Sequence, residues 1–152
     1  MKIKLSGLIC LFVLFTQFHA FADKGLRAVN SKVLRAFKDA FPLAEKVEWR
    51  GNGDHYFVNF KENAILSEVE YDHEGNFIRS ERFFKSVNLL PRHLSREIHK
   101  KFPDKTVFGI TETKTDAEIH YYVKLEDDKE WMTVKGSVDG NIRVLEKFYK
   151  QL

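Results

Sequence analysis

Two histidine-tyrosine steps stand 65 residues apart, His55-Tyr56-Phe57-Val58-Asn59-Phe60 and His120-Tyr121-Tyr122-Val123-Lys124-Leu125. A repeat that gathers two imidazoles is one way to begin a transition-metal site, which then needs further nitrogen or sulfur ligands close by in space. Neither histidine has such a ligand at a telling spacing, and His93 and His99, six apart, fall on different faces of a helix. Oxygen-rich stretches offer a different chemistry: Asp72, Glu74 and Asn76, or Asp127 and Asp128, are candidate calcium ligands. The same residue types also build tight turns, which is the simpler reading. Nucleophilic catalysis has little to work with, since there is no Gly-x-Ser-x-Gly elbow and the single cysteine is Cys10. No catalytic residue and no cofactor are therefore assigned. The residues left are aromatic and polar side chains that alternate along strands, His55, Phe57, His120, Tyr122 and Trp131, and these suit contact with a partner.

The ends and composition say where such contact would occur. Lys2 and Lys4 precede an apolar run from Leu5 to Phe15, and Ala20-Phe21-Ala22 supplies a small-x-small step. That is the pattern of a secretory signal over residues 1–22, placing the chain in the periplasm or outside the cell. The run is too short to span a bilayer comfortably, so no stable membrane insertion is expected after cleavage. Removing two lysines leaves 23 basic against 22 acidic residues, close to neutral, which gives no reason to expect a nucleic-acid partner. The 130 residues that remain contain no cysteine and must be stabilised by packing, for which Trp49, Trp131 and many Phe and Tyr residues are available.

The repeat organises the elements. Gly75-Asn76 returns as Gly140-Asn141 at the same spacing as the histidines, and Phe41-Pro42 returns as Phe102-Pro103 at a spacing of 61. A self-match this long is a supersecondary unit used twice, here residues 23–87 and 88–152. Each copy opens with a helical stripe, Val29, Val33, Leu34, Phe37 and Phe41 in the first and Leu94, Ile98 and Phe102 in the second. Asn30 or Ser31 suits the first cap, Pro91 suits the start of the second helix, and Pro42 and Pro103 end them. Four strands follow each helix, near 45–50, 54–61, 64–72 and 76–84, then near 106–114, 117–126, 130–138 and 141–149. Turn chemistry such as Gly51-Asn52-Gly53-Asp54, Glu74-Gly75-Asn76 and Asp139-Gly140-Asn141 separates them. The fold expected is α+β, two tandem helix-plus-four-strand antiparallel units forming one body with the helices on one face.

Period-two alternation assigns Tyr56, Val58, Phe60, Tyr121, Val123, Leu125, Met132, Val134 and Val138 to the core. The opposite side then shows His55, Phe57, His120, Tyr122 and Trp131. Glu48, Arg50, Glu68, Glu70, Arg79, Glu81 and Arg82 are expected on solvated strand faces in cross-strand pairs.

The order of motifs resembles a known family. A leader, a helix ending in Phe41-Pro42, the strand Val47-Glu48-Trp49, a Tyr-x-Val strand and the turn from Glu70 to Asn76 recur more loosely in the second half. This is similar to the PepSY-like, beta-lactamase-inhibitor-like family of small periplasmic proteins common in the Bacteroides group. The resemblance implies tandem helix-plus-strand units and an inhibitory or peptide-binding role, with no catalytic residue to carry over. The second copy departs from the pattern, with Phe108-Gly109-Ile110 at the place of Val47-Glu48-Trp49. The function expected is non-catalytic occlusion of an envelope protein or an extended peptide, on the open sheet face or along a free edge. A calcium-responsive protein is the alternative, and a small hydrolase a further one.

Overall fold

The computed structural model describes residues 29–51 and 53–151; the leader read at 1–22 lies outside them. Helix α1 (Ser31–Ala40) starts where the Asn30 side chain accepts the Lys32 N–H at 2.8 Å. It ends where Phe41 donates to the Phe37 carbonyl and Pro42 can extend the ladder no further. Strands β1 (Glu45–Gly51), β2 (His55–Glu62), β3 (Ile65–Asp72) and β4 (Phe77–Phe84) follow. A 3₁₀ turn at Val87–Leu89 leads to α2 (Arg92–Lys101), then β5 (Thr106–Thr115), β6 (Ile119–Glu126), β7 (Glu130–Ser137) and β8 (Ile142–Tyr149). Each strand begins and ends within two residues of the place its turn signals mark. Asn63 and Ala64, at φ 50° and 65°, join β2 to β3; paired left-handed residues of this kind match the twist of a hairpin.

The expected α+β pair of helix-plus-four-strand units is corrected by the sheet. The strands form one eight-stranded antiparallel sheet in the order β1 to β8, and among the described residues two α-helices of ten residues each accompany it. The body is sheet-dominated. The physical reason is the middle ladder: β4 does not end a unit but pairs with β5 over six residue pairs, from Arg79↔Thr115 to Phe84↔Ile110. An edge strand offers a row of unused N–H and C=O groups, and here another strand of the same chain satisfies them.

Two apolar clusters lie on one face of this sheet. Val33 and Phe37 of α1 pack on Tyr56, Val58, Phe60, Val69 and Tyr71. Leu94 and Ile98 of α2 pack on Ile110, Tyr121, Val123, Leu125, Met132 and Val134, with Phe84 and Leu90. The first cluster is aromatic: the Phe37 ring meets Trp49 at 5.3 Å and Phe60 at 5.1 Å, both edge-on. The core assignments from alternation hold except for Val138, which lies past the end of β7 and is exposed. Glu70, expected on a solvated face, is corrected: it is buried. Arg82 makes a cross-strand pair and stays partly exposed, on the helix-bearing face, where its Nη1 donates to Glu112 at 3.0 Å.

The two clusters trade volume between equivalent positions. Where the first copy pairs Val33 with Tyr71, the second pairs Leu94 with Gly136. A Cβ built on Gly136 would stand 2.5 Å from a Leu94 methyl, and Leu94 is fully buried. The second copy also carries an ionic clamp. Lys105 donates to Asp127 at 2.5 Å and pairs with Glu130 at 2.7 Å, tying the approach to β5 to the β6–β7 turn. Asp127 also accepts the backbone N–H groups of Lys129 and Glu130. Lys105 first, and those N–H groups after it, hold the Asp127 carboxyl well below the usual carboxylate range.

Two outcomes follow from this packing. G136A should lower stability by about 1–3 kcal/mol, the usual cost of overpacking, and L94V in the same chain should restore most of it; urea melts of the three proteins measure both. The Asp127 carboxyl is depressed in the folded state, so its stabilisation is present above 3.8, its ordinary value, and is lost as pH falls through the folded value. D127N should therefore melt below the wild type at neutral pH, and the gap should narrow as pH drops below 3.8. A gap that stays constant across that range would remove the clamp as its cause.

Candidate binding face

The helices leave the other face of the sheet open, and the register shows what it displays. Phe57 pairs with Arg50 on one side and Glu70 on the other, and Glu70 pairs with Arg79. These residues form an ionic lattice across β1 to β4. His55 Nδ1 lies 2.7 Å from Glu70 Oε1, Arg79 Nε donates to Glu70 Oε2 at 2.6 Å, and Arg79 Nη1 donates to Glu81 at 2.9 Å. Arg50 bonds Glu68, and its guanidinium carbon stands 5.3 Å from the centre of the Phe57 ring. Burial alone would push the Glu70 carboxyl up. The hydrogen bonds from Arg79 and His55, with their charges, outweigh it and bring the group below its ordinary value.

The rest of the open face carries large apolar side chains among lysines, with Glu126, Thr133 and Glu146 between them. Leu66 and Phe83 pair across β3 and β4. Phe108 stands at a bulge, where the β5–β6 register jumps from Val107 to Gly109, and such an insertion turns a side chain out of the normal alternation. Trp131 and Phe148 pair across β7 and β8. All five are large apolar groups left 39–58% exposed. They run diagonally over β3 to β8, with Tyr122 alongside in the register row of Phe83 and Thr111. Lysines stand over the rings, Lys85 at 6.0 Å from Phe108, Lys135 at 5.7 Å from Tyr122 and Lys150 at 5.0 Å from Trp131. Glu126 accepts from both Trp131 Nε1 and Lys150 Nζ at 3.1 Å, which fixes the indole in place.

The residues singled out by sequence all lie on this face, but they are not brought together. His55 and Phe57 are on β2 and His120 and Tyr122 on β6, four strand spacings apart, on the order of 19 Å at about 4.8 Å each. The two histidines cannot share a ligand. His55 and Phe57 belong to the ionic lattice, whereas Tyr122 and Trp131 belong to the apolar stripe. His120 lies between them, its Nε2 at 3.0 Å from Glu118. Its cross-strand neighbour Ser137 has a buried hydroxyl, and neither that oxygen nor His120 Nδ1 has a hydrogen-bond partner among the described residues. The calcium candidates are occupied by turn chemistry. Asp72 accepts the N–H groups of Glu74 and Asn76 and the Asn76 side-chain amide, and Glu74 bonds Lys32. Asp127 and the clamp around it are tied up in the same way. Among the described residues no three of His, Cys, Asp or Glu are gathered to hold a metal ion. Sequence reasoning missed Leu66, Phe83, Phe108 and Phe148. For three of them alternation within the strand was the available signal, and it needed the cross-strand register to become a stripe.

No family profile and no curated protein match the chain by sequence. Solved structures match its fold. A BLIP-like protein of Bacteroides fragilis is similar with a TM-score of 0.64 and 19% identity, over 84% of this chain and 90% of that one. A Bacteroides eggerthii protein described as a putative periplasmic protein is similar with a TM-score of 0.61 and 14% identity, over 80% and 88%. A DUF2874 family protein of Bacteroides ovatus is similar with a TM-score of 0.60 and 17% identity, over 78% and 86%. None of these three is described as PepSY-like. At such identities the likeness is one of fold: this chain has the fold that these Bacteroides proteins share.

Proposed function

We propose that the chain is an exported, non-catalytic binding protein that occludes a partner with the open face of its sheet. The observation that carries the reading is the stripe of half-exposed apolar side chains from Leu66 to Phe148, with lysines over its rings. Contiguous exposed apolar surface with a polar rim is the usual mark of a protein contact site, and aromatic anchors supply most of the binding energy at such sites. Export is supported by the leader pattern at residues 1–22 and by the neighbour described as periplasmic, so the working location is the periplasm or the medium. No described helix is long and apolar enough to cross a membrane.

The finer reading is inhibition of an envelope enzyme or capture of a peptide. It rests on the BLIP-like neighbour and on the order of motifs shared with the PepSY-like, beta-lactamase-inhibitor-like pattern. The open face is preferred to an edge strand because its stripe crosses six strands and presents side chains, whereas an edge presents mainly backbone.

The test uses residues 23–152 as immobilised bait against an envelope extract of the source cell. Wild type should retain a saturable partner. F108A/W131A/F148A should bind it roughly tenfold or more weakly, and H55A/F57A, at the other end of the face, should keep most of the affinity. Equal capture by wild type and the triple variant, with both still folded by circular dichroism, would discard the stripe as the site.

A further inference from the structure

The helix-bearing face holds a second site. α1 covers β2 and β3, and α2 covers β5 to β7, so the middle of the sheet is left as a trough of about 760 Å³ that α1 walls on one side and no described residue of α2 lines. That volume lies within the range of about 300–1,000 Å³ that holds small organic ligands. Alternate residues of β3 line it, Ile65, Ser67, Val69 and Tyr71, a rise of about 20 Å at about 3.3 Å per residue. α1 lines it with Ala36 and Ala40, where the equivalent positions of α2 are Glu97 and Lys101. Small side chains on the first helix keep the trough open.

Its floor is polar at the centre and apolar around it. Two register rows cross the floor, Ser67–Arg82–Glu112 and Val69–Ser80–Lys114. Glu112 is buried and accepts from Arg82 Nη1 at 3.0 Å. Among the described residues that is the one hydrogen bond Arg82 makes, and a guanidinium carries five N–H donors. Lys114 stands 6.0 Å from the centre of the Phe77 ring, with its ammonium on the same floor. Arg82 already offsets the charge of Glu112, so the remaining guanidinium donors, Lys114 and the Ser67 and Ser80 hydroxyls can accept one further anionic group. The lining holds three carboxylates against two cations, but Glu62 ends β2 and Asp116 follows β5, so these two stand at opposite ends of the trough and repel a second anionic group, while Arg82 and Lys114 hold its centre. Phe41, Ile65, Phe77 and Ile119 supply the apolar surround.

We infer that this trough binds a small amphiphile, an apolar body ending in one carboxylate, with the carboxylate on Arg82 and Lys114 and the body between Phe41, Ile65, Phe77 and Ile119. A guanidinium recognises a carboxylate by charge-assisted, geometrically matched hydrogen bonds, and here it does so from a side chain that is 40% exposed at the floor of an open trough. The site is separate from the open face, and each stands without the other.

Decanoate and 1-decanol are the probes, followed by amide chemical shifts on the folded protein. Decanoate should shift Ser67, Ser80, Arg82 and Glu112 saturably, and decanol should bind roughly tenfold or more weakly, as expected when a charge-assisted contact is missing. R82Q/E112Q removes both charges together, so no carboxylate is stranded, and it should narrow the preference for decanoate to what Lys114 alone supports. A36W fills the trough and should abolish both interactions while its melting temperature shows that it folds. W131A/F148A should bind decanoate as wild type does, which keeps this site distinct from the partner face. Equal affinity of wild type for the two probes, unchanged decanoate binding by folded A36W, or shifts confined to the Trp131–Phe148 stripe would overturn the assignment.

Discussion

The pairing of β4 with β5 is the constraint on which the rest of the molecule depends. Six residue pairs join the two copies of the repeat, and the contacts on that seam are not neutral in character. Phe84 faces Ile110, Arg82 faces Glu112, and both pairs lie on the helix-bearing side. A buried ion pair contributes little net stability but is costly to break. Its placement here favours one register over a two-residue slip that would set Arg82 against Lys114 or Ile110. The seam also decides what each face can be. One continuous sheet makes one open surface, and it leaves the two helices apart, because each is anchored to the strands of its own copy.

The copies show how one fold tolerates different cores. Phe37, Trp49 and Phe60, which meet edge-to-face in the first cluster, correspond by repeat to Ile98, Ile110 and Leu125. Aromatic contact is replaced by branched aliphatic packing, with Phe41 and Phe102 retained. Volume moves from strand to helix between the copies, as the exchange of Val33 and Tyr71 for Leu94 and Gly136 shows. Polar anchoring diverges too, since Lys105, Asp127 and Glu130 stand where the first copy has Ala44, Glu62 and Ile65.

What could be read in the sequence follows from which interactions are local. Turn residues and proline stops act within a few positions, so the element ends near Pro42, Gly75 and Asn141 were legible. Alternation is local as well, and it placed Tyr56, Val58, Tyr121 and Val123 inside. Strand pairing across the joining segment is a non-local event that leaves no mark in either strand, so the β4–β5 ladder had to come from the structure, and it corrects the expected fold of two helix-plus-four-strand units. Phe108 was hidden by a bulge, which breaks the period that would have revealed it. The face that Arg82 takes was not legible in its own strand; its pairing with Ser67 and Glu112 sets it on the helix side. The site residues chosen by repeat symmetry, His55 with His120 and Phe57 with Tyr122, lie on equivalent strands, and equivalence in a tandem sheet means separation by half the sheet.

That separation bears on which half of the open face can hold a partner. In the ionic lattice Glu68, Glu70 and Glu81 already have cationic partners. A partner landing there must strip water from charges without gaining new pairs, and exposed ion pairs return little for that cost. The stripe has the opposite balance. Trp131 and Phe148 keep about half of their surface in water, and covering each yields on the order of 2 kcal/mol at about 25 cal/mol per Å². Lys150, held over the indole by Glu126, limits the side-chain freedom that binding would otherwise have to remove. On the proposed face, contact energy would therefore concentrate toward β7 and β8, away from the lattice over β1 to β4.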